Sequence, residues 1–266
     1  MKNPYFELHK EFKAAGAKVL MSSGQACVAY GIAAFSKDGD WIVEETNRSC
    51  NLILEVLNSK NAAYRLGAPL DIRWLSKGLT SHFEYILADG YRMRVDFCSR
   101  APRVENHDSL WENSCEMGDI DIVDVESLIA LKQTKRVRDY HIIGALAEVL
   151  GYNQDQPKIA LEYLQDYDLL KKAVDKWPEE ASKCSRESVQ LIREAKPRSE
   201  AIISLALEQD SMIQKDAQRI AKIIDGSEPF QKSFYIIKKQ WITNKSKLLS
   251  QHADLIALAE QVGLGR

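Results

Sequence analysis

Two carboxylates spaced two residues apart, Asp38 and Asp40, are the residues of this 266-residue chain best suited to chemistry. They precede the apolar run Trp41-Ile42-Val43, which predicts a buried strand. Side chains at i and i+2 of a strand lie on the same face of a sheet, so the two carboxylates are expected close together. Mg²⁺ bound by carboxylates and substrate phosphates is the common way to hold such charges together. The spacing therefore indicates phosphoryl or nucleotidyl transfer, although a surface turn is the alternative interpretation of Asp-Gly-Asp.

A short turn, Ser22-Ser23-Gly24, lies between an apolar run at residues 18–21 and a stretch of small apolar residues at 25–35. The first predicts a buried strand and the second a helix packed on a sheet. Backbone N–H groups at a helix N-terminus can bind phosphate, where Gly24 would allow close approach and Ser23 would add a hydroxyl donor. Tight packing of the strand on the helix is the alternative interpretation of such a turn.

A third carboxylate, Asp96, lies in the strictly alternating segment 91–98. Aspartate is disfavoured in the middle of a strand, so its presence there needs a reason. One interpretation is an ion pair with Arg92 or Arg94, and the other is the third ligand of a metal site. With the turn at Ser23, three carboxylates would form a two-metal phosphoryl-transfer site, in which Asp96 could also take a proton from the attacking hydroxyl.

The elements that must position these residues alternate between helix and strand in the first part of the chain. Apolar periodicity predicts helices at 6–15, 25–35, 46–58, 127–136 and 139–150, and strands at 18–21, 40–44, 70–75, 82–88, 91–98 and 119–123. Asp89-Gly90 predicts a hairpin with a type I′ turn.

From residue 156 onward the pattern is helical, with Pro178, Pro197 and Pro229 expected at helix boundaries. The shift near Gly151 predicts two domains, a mixed α/β domain at 1–150 and a helical domain at 151–266. The predicted fold class is therefore α/β (α+β), a mixed sheet flanked by helices and followed by an all-helical C-terminal domain.

The composition gives no global attraction to nucleic acid or to an anionic membrane, because the net charge is only −2. The five cysteines are scattered without CxxC spacing, which supports neither a zinc site nor a disulfide framework. The N-terminus has no apolar segment of the secretory type, and no apolar run reaches the roughly 18 residues of a membrane span. These features predict a cytoplasmic protein with no membrane partner.

The order of these motifs resembles the nucleotidyltransferase superfamily related to DNA polymerase β. Its pattern is a Gly-Gly or Gly-Ser turn, a helix, Asp-x-Asp and a third Asp on a later strand, matched by the turn at Ser23, Asp38-Gly39-Asp40 and Asp96. The likeness is greatest to the bacterial branch of antibiotic nucleotidyltransferases and abortive-infection toxins. In that branch, a segment like 125–132 is followed by a basic stretch and an Asp, here 135–139.

This resemblance covers roughly residues 6 to 150 and implies a nucleotidyltransferase-like catalytic domain. It assigns catalysis and the binding of Mg²⁺ or Mn²⁺ to three carboxylates, those of Asp38, Asp40 and Asp96. Ser23 and Gly24 would hold the triphosphate of ATP or another nucleoside triphosphate, and Lys132 would lie near the phosphates as a point charge. The implied reaction moves a nucleoside monophosphate to a hydroxyl of a small molecule, a tRNA or a protein. Membership of a toxin–antitoxin pair would add an antitoxin partner.

The chain also departs from the family pattern. Ser23 replaces the first glycine of the turn, Gly39 stands where an apolar residue is usual, and Ala34-Phe35 replaces an arginine. A second hypothesis is therefore a catalytically degenerate member that binds a nucleotide or a partner protein. A third is an unrelated α/β scaffold, in which the three carboxylates lie far apart. His82, His107 and His141 show no metal-ligand spacing and are interpreted as ordinary polar or partly buried residues.

Overall fold

The computed structural model describes residues 3–104, 106–244 and 247–264, with the backbone alone for 223–244. In these residues, seven strands form one sheet: β1 (Val19–Ser22), β2 (Gly39–Val43), β3 (Ala63–Gly67), β4 (Ser81–Ile86), β5 (Arg92–Cys98), β6 (Cys115–Met117) and β7 (Ile120–Ile122). The strand order is β3-β4-β5-β2-β1-β7-β6. The pairs β2/β5 and β1/β7 are parallel, and the other neighbours are antiparallel.

The helices that accompany the sheet are α1 (Pro4–Ala14), α2 (Ser23–Ala29), α3 (Asn47–Ser59), α4 (Ile72–Leu75) and α5 (Asp108–Glu112). The chain continues with α6 (Val125–Lys132), α7 (Val137–Leu146), a π-helical segment (Ala147–Tyr152), α8 (Pro157–Tyr163), α9 (Tyr167–Lys176), α10 (Pro178–Lys183), α11 (Glu187–Arg193), α12 (Arg198–Asn244) and α13 (Leu248–Gln261). This confirms the mixed sheet flanked by helices and the helical C-terminal part. The likeness to a nucleotidyltransferase fold stays a prediction.

The contacts divide the chain into two compact units, one of residues 1–124 and 223–266 and the other of residues 125–222. The boundary predicted near residue 150 lies inside the second of these units. The first unit is discontinuous because α13 packs on α3 and β3. There Gln251 accepts a hydrogen bond from the backbone N–H of Tyr64 at 3.1 Å.

Two predicted elements near the site are wrong. The helix expected at 25–35 ends at Ala29, because Gly31 adopts a φ of +75° and the N–H groups of Ile32 and Ala33 both donate to the carbonyl of Cys27. The strand expected at 70–75 is replaced by the short helix α4. The side chain of Asp71 caps that helix by accepting a hydrogen bond from the N–H of Arg73 at 2.9 Å.

The hairpin predicted at Asp89-Gly90 exists, but its turn is not of type I′. Such a turn needs positive φ at both central residues, and only Gly90 has it, at +84°. The N–H of Leu87 donates to the carbonyl of Tyr91, which extends the pairing one residue beyond each strand. The loop of the hairpin is therefore the three residues 88–90. Farther along, Pro178 and Pro197 lie at helix starts as predicted, whereas α12 continues through Pro229. A proline removes one backbone hydrogen bond, which is a small part of those available to a helix of 47 residues.

Aromatic rings fill the core behind the first half of β2. Trp41 and Phe97 stack with ring centroids 5.6 Å apart, and Phe12 meets Trp41 edge-on at 5.6 Å. Gly39, two residues before Trp41, has no room for a side chain, because a Cβ there would lie 2.5 Å from the ring of Tyr5 and 2.6 Å from that of Trp41. The packing of these rings therefore explains why the residue between Asp38 and Asp40 is glycine.

Replacing Gly39 by alanine is expected to lower the free energy of unfolding by about 1–3 kcal/mol, since overfilling a packed core forces rings out of place. Urea unfolding of the two proteins measures the change. Ala34→Ser adds one heavy atom at an exposed position of the preceding loop and should change stability by less than about 0.5 kcal/mol. Equal stabilities of wild type and Gly39→Ala would contradict the crowding argument.

Candidate functional site

One row of side chains crosses the middle of the sheet. Ser22 pairs with Asp40, Asp40 with Asp96, and Asp96 with His82, across β1, β2, β5 and β4. Residues paired in register lie on the same face of a sheet, with neighbouring strands roughly 4.8 Å apart. The structure therefore places Asp40 and Asp96 side by side on one face, where the sequence motifs expect two of the three acids.

Asp96 has two basic neighbours. A terminal nitrogen of Arg65, on β3, lies 3.1 Å from Oδ1 and 3.4 Å from Oδ2 of Asp96. His82 Nδ1 is 2.8 Å from Asp96 Oδ1, although the atoms are not aligned as a hydrogen bond. The ion pair predicted from sequence named the wrong partners, because the residues beside Asp96 come from neighbouring strands and not from Arg92 or Arg94 of its own strand.

Asp38 lies just before β2, where its charged neighbour is Arg94. The guanidinium of Arg94 is 3.9 Å from Asp38 Oδ1. Neighbouring elements fix the backbone here, since the buried Gln25 of α2 donates to the carbonyls of Ser36 at 3.0 Å and of Asp38 at 3.4 Å. The hydroxyl of Tyr5 on α1 donates to the carbonyl of Lys37. Helices α1 and α2 together therefore set the path of the chain into β2.

The negative charge of this face affects the pKa of the Cys98 thiol. Burial raises its pKa to about 12, and the charges of Asp40 and Asp96 add to that shift. In the described part of the chain, no three acidic, histidine or cysteine side chains are gathered as a metal-ligand set. Asp40 and Asp96 are adjacent, while Asp96 is engaged by Arg65 and His82.

Three buried polar atoms of this face have no hydrogen-bond partner: Arg65 Nε, His82 Nδ1 and Asp38 Oδ1. Arg65 Nε is a donor that needs an acceptor, whereas Asp38 Oδ1 is an acceptor that needs a donor or a cation. A divalent cation carrying phosphate oxygens supplies both kinds of partner. The chemistry of these groups therefore fits the implied magnesium ion, and Asp38, Asp40 and Asp96 are the residues that would hold it once they are drawn together as ligands.

The predicted phosphate turn lies at the start of α2, next to this row. Ser22 Oγ donates to the carbonyl of Asp40 at 3.2 Å, and Ser23 begins the helix with a φ of +52°. A Cβ on Gly24 would lie 2.1 Å from Ser36 Oγ, so a protein contact already requires glycine at this position. The helix that follows has only seven residues.

Lys132, the remaining predicted nucleotide contact, lies at the end of α6 in the unit of residues 125–222. Its side chain is buried. In the same unit, Asp139 accepts hydrogen bonds from Thr134 and Arg136, so the acidic residue that follows the basic stretch is tied to its own helix start.

A cavity of about 560 Å³ opens beyond the other end of β2, with Glu44, Glu45 and Trp111 among its lining residues. Its carboxylates already have cationic partners: Lys18 lies 2.8 Å from Glu44, and Arg100 lies 2.9 Å from Glu45. These hydrogen bonds hold the pKa of both carboxyls below the usual range. We take the face with Asp38, Asp40 and Asp96 as the candidate site, because three buried atoms there, Arg65 Nε, His82 Nδ1 and Asp38 Oδ1, have no hydrogen-bond partner.

Sequence reasoning missed two residues of this face. Arg65 lies on β3, a strand that was not predicted. His82 was treated as an ordinary histidine, and the register of the β4–β5 hairpin is the signal that places it opposite Asp96.

Fold and site together define a mixed α/β protein with three carboxylates near one face of its sheet. We call these residues, Asp38, Asp40 and Asp96, the acidic row. No protein-family model matches the chain, and no curated protein matches it. Among solved structures the chain is similar to JHP933 from Helicobacter pylori, with 13% identity, a TM-score of 0.41, and coverage of 83% of this chain and 95% of that one. No helix in the described residues is both long and apolar enough to cross a bilayer.

Proposed function

We propose that this protein is a magnesium-dependent nucleotidyltransferase that moves a nucleoside monophosphate from a nucleoside triphosphate to a hydroxyl acceptor. The observation that carries the proposal is the acidic row: Asp40 and Asp96 are paired side by side, and Asp38 Oδ1 is buried nearby without a hydrogen-bond partner. The resemblance of the motif order to the DNA polymerase β superfamily gives the row its chemistry.

In this proposal the chain's own residues divide the work. Asp38, Asp40 and Asp96 hold the cation, and Ser23 and Gly24 bind the triphosphate. Bound magnesium would neutralise charge on the transferred phosphoryl group. The acceptor oxygen bonds to the α-phosphorus, the bond from the α-phosphorus to the bridging oxygen breaks, and pyrophosphate leaves. In this proposal the hydroxyl proton passes to the carboxylate of Asp96.

A cytoplasmic location and an antitoxin partner belong to the same proposal. The antitoxin partner follows from the likeness of 125–132 and 135–139 to the toxin branch of the superfamily. The acceptor class is open between a small molecule, a tRNA end and a protein side chain.

Transfer of label from nucleoside triphosphates tests the proposed reaction. The protein is incubated with Mg²⁺, cell extract and each of the four triphosphates, labelled in turn at the α- or the γ-phosphate. Label from the α-position should reach an acceptor with release of pyrophosphate, whereas label from the γ-position should not. Absence of α-label transfer from every nucleotide would overturn the proposal.

A second candidate function is a catalytically degenerate nucleotide- or protein-binding module. The observation that favours it is the engagement of Asp96 by Arg65 and His82, together with the departures at Ser23 and Gly39. Calorimetry and pyrophosphate release together separate the two functions. In calorimetry of nucleotide binding, both proteins would bind a nucleotide. Only the enzyme would also release pyrophosphate, whereas a degenerate protein would release none.

A further inference from the structure

Arg65 occupies the place where a cation would approach Asp96. One of its terminal nitrogens lies within 3.4 Å of both carboxylate oxygens, and the two side chains are largely buried, with 22% and 19% of their surfaces exposed. Magnesium binds carboxylate oxygens at roughly 2.0–2.1 Å in octahedral geometry. An ion coordinated by Asp96 would therefore compete with this guanidinium for the same oxygens.

The position of Arg65 also has an electrostatic reason in the unliganded protein. Asp40 and Asp96 are directly paired on adjacent strands, and like charges in that arrangement destabilise a sheet. A guanidinium against Asp96 offsets the repulsion, because its positive charge attracts the carboxylate. Arg65 therefore does in the unliganded protein what a divalent cation would do in the loaded one.

We propose that Arg65 is an exchangeable counter-ion of the acidic row. It neutralises Asp96 while the row is unloaded, gives up the carboxylate oxygens to an incoming divalent cation, and turns its N–H donors to acceptor oxygens of the bound ligand. Arg65 Nε, already a buried donor without a partner, has unused capacity for such an acceptor. This rests on the proposed function only for the ability of the row to bind a divalent cation.

The direction in which Arg65→Gln changes the affinity for Mn²⁺ tests whether Arg65 exchanges with the cation. Binding of Mn²⁺ alone to the full chain is measured by calorimetry and by electron paramagnetic resonance of the unbound ion. If Arg65 competes with the ion, Arg65→Gln binds Mn²⁺ on the order of tenfold more tightly than wild type, the factor that corresponds to about 1.4 kcal/mol. If Arg65 only fixes Asp96 in position for the ion, the same substitution weakens binding or leaves it unchanged.

Arg92→Gln is the matched control, because it removes the same charge from an exposed arginine on the same face of β5, four residues from Asp96. Its effect on Mn²⁺ affinity should stay within about twofold, since exposed charges at that separation are screened by salt.

Thermal unfolding provides a second measurement without nucleotide. Arg65→Gln should melt at a lower temperature than wild type in the presence of a chelator, because the repulsion between Asp40 and Asp96 is no longer offset. Added Mn²⁺ should raise its melting temperature more than that of wild type, since a tighter ligand stabilises the folded state further. Should Arg65→Gln fail to fold, Arg65→Met retains a long unbranched side chain without the charge and should bind Mn²⁺ more tightly than wild type.

The outcomes separate the exchange from the proposed function. Wild type that binds Mn²⁺ with Arg65 variants that bind it no more tightly overturns the exchange and leaves the enzymatic proposal standing. Failure of wild type to bind Mn²⁺ overturns the exchange and the metal site of the proposed function together. Tighter binding by the Arg65 variants, with Arg92→Gln unchanged, supports the exchange.

Discussion

Asp40→Asn is expected to reduce nucleotidyl transfer by at least about 1,000-fold while leaving the free energy of unfolding unchanged or raised by up to about 1 kcal/mol. A metal-bound phosphoryl group draws several kcal/mol of transition-state stabilisation from the ion, and each 1.36 kcal/mol is tenfold in rate. The amide nearly matches the carboxylate in size but carries no charge for the ion. It also removes one member of the like-charged pair with Asp96, which is why stability should not fall.

Single-turnover transfer of α-label measures the activity of Asp40→Asn, and urea unfolding measures its stability. Asp254→Asn makes the same chemical change at an exposed position of α13 and should leave both quantities as in wild type. Transfer at the wild-type rate by Asp40→Asn would remove Asp40 from the catalytic set. Loss of activity together with several kcal/mol of stability would assign Asp40 a structural role instead.

Acid should destabilise the protein through His9, which is fully buried on α1. His9 Nδ1 accepts a hydrogen bond from the indole N–H of Trp41 at 3.1 Å, and the backbone N–H of Asp121 lies 3.0 Å from Nε2. Burial lowers the pKa of His9 from 6.5 to about 4, and the nearby charge of Asp121 only partly opposes the shift. Protonation would place a buried charge on the imidazole and disrupt its hydrogen bond to Trp41.

The direction of the pH dependence follows from proton binding in the two states. Between pH 6.5 and about 4, the unfolded chain carries more protons on this histidine than the folded chain does. The stability is thus fully present above pH 6.5 and is lost as the pH falls toward 4. With 1.36 kcal/mol for each pKa unit, the loss amounts to about 3 kcal/mol across that window.

Urea unfolding at a series of pH values across this window measures the loss. His9→Gln removes the titrating group and should flatten the pH dependence by most of that amount, at the expense of a lower stability near neutral pH. His252 also has a lowered pKa because of burial, and it accounts for part of the slope that remains. His141→Gln changes an exposed histidine and should leave the slope as in wild type. An unaltered slope in His9→Gln would contradict the assignment.

Local chemistry made much of the first unit predictable from sequence. The alternation of Met93, Val95 and Phe97 predicts β5, and the structure buries all three. Thr46, at the start of the helix predicted at 46–58, is of a residue type that favours N-caps, and its hydroxyl accepts from the N–H of Ser49 at 3.2 Å. These features depend on residues close in the chain.

The partners of Asp96 were not predictable in the same way, because they depend on register. A two-residue turn at Asp89-Gly90 would set Phe83 opposite Asp96, whereas the three-residue loop sets His82 there. A shift of one residue exchanges the two faces of a strand, so the turn type decides whether a phenyl ring or an imidazole lies beside the carboxylate. The position of Arg65 beside Asp96 was harder still to predict from sequence. The short strand β3 that carries it also depends on Gln251, which is 187 residues from its partner Tyr64.

That distant contact has a consequence for biosynthesis. A nascent chain halted after residue 150 would already contain every strand of the sheet, yet α3 and β3 would await the helix that carries Gln251 and His252. The first unit can be completed only once the chain as far as α13 has left the ribosome, and contacts of such high sequence separation slow folding. Until then the aromatic ring of Tyr64 lacks its hydrogen-bonding neighbour His252, and chaperones would encounter an exposed apolar surface there.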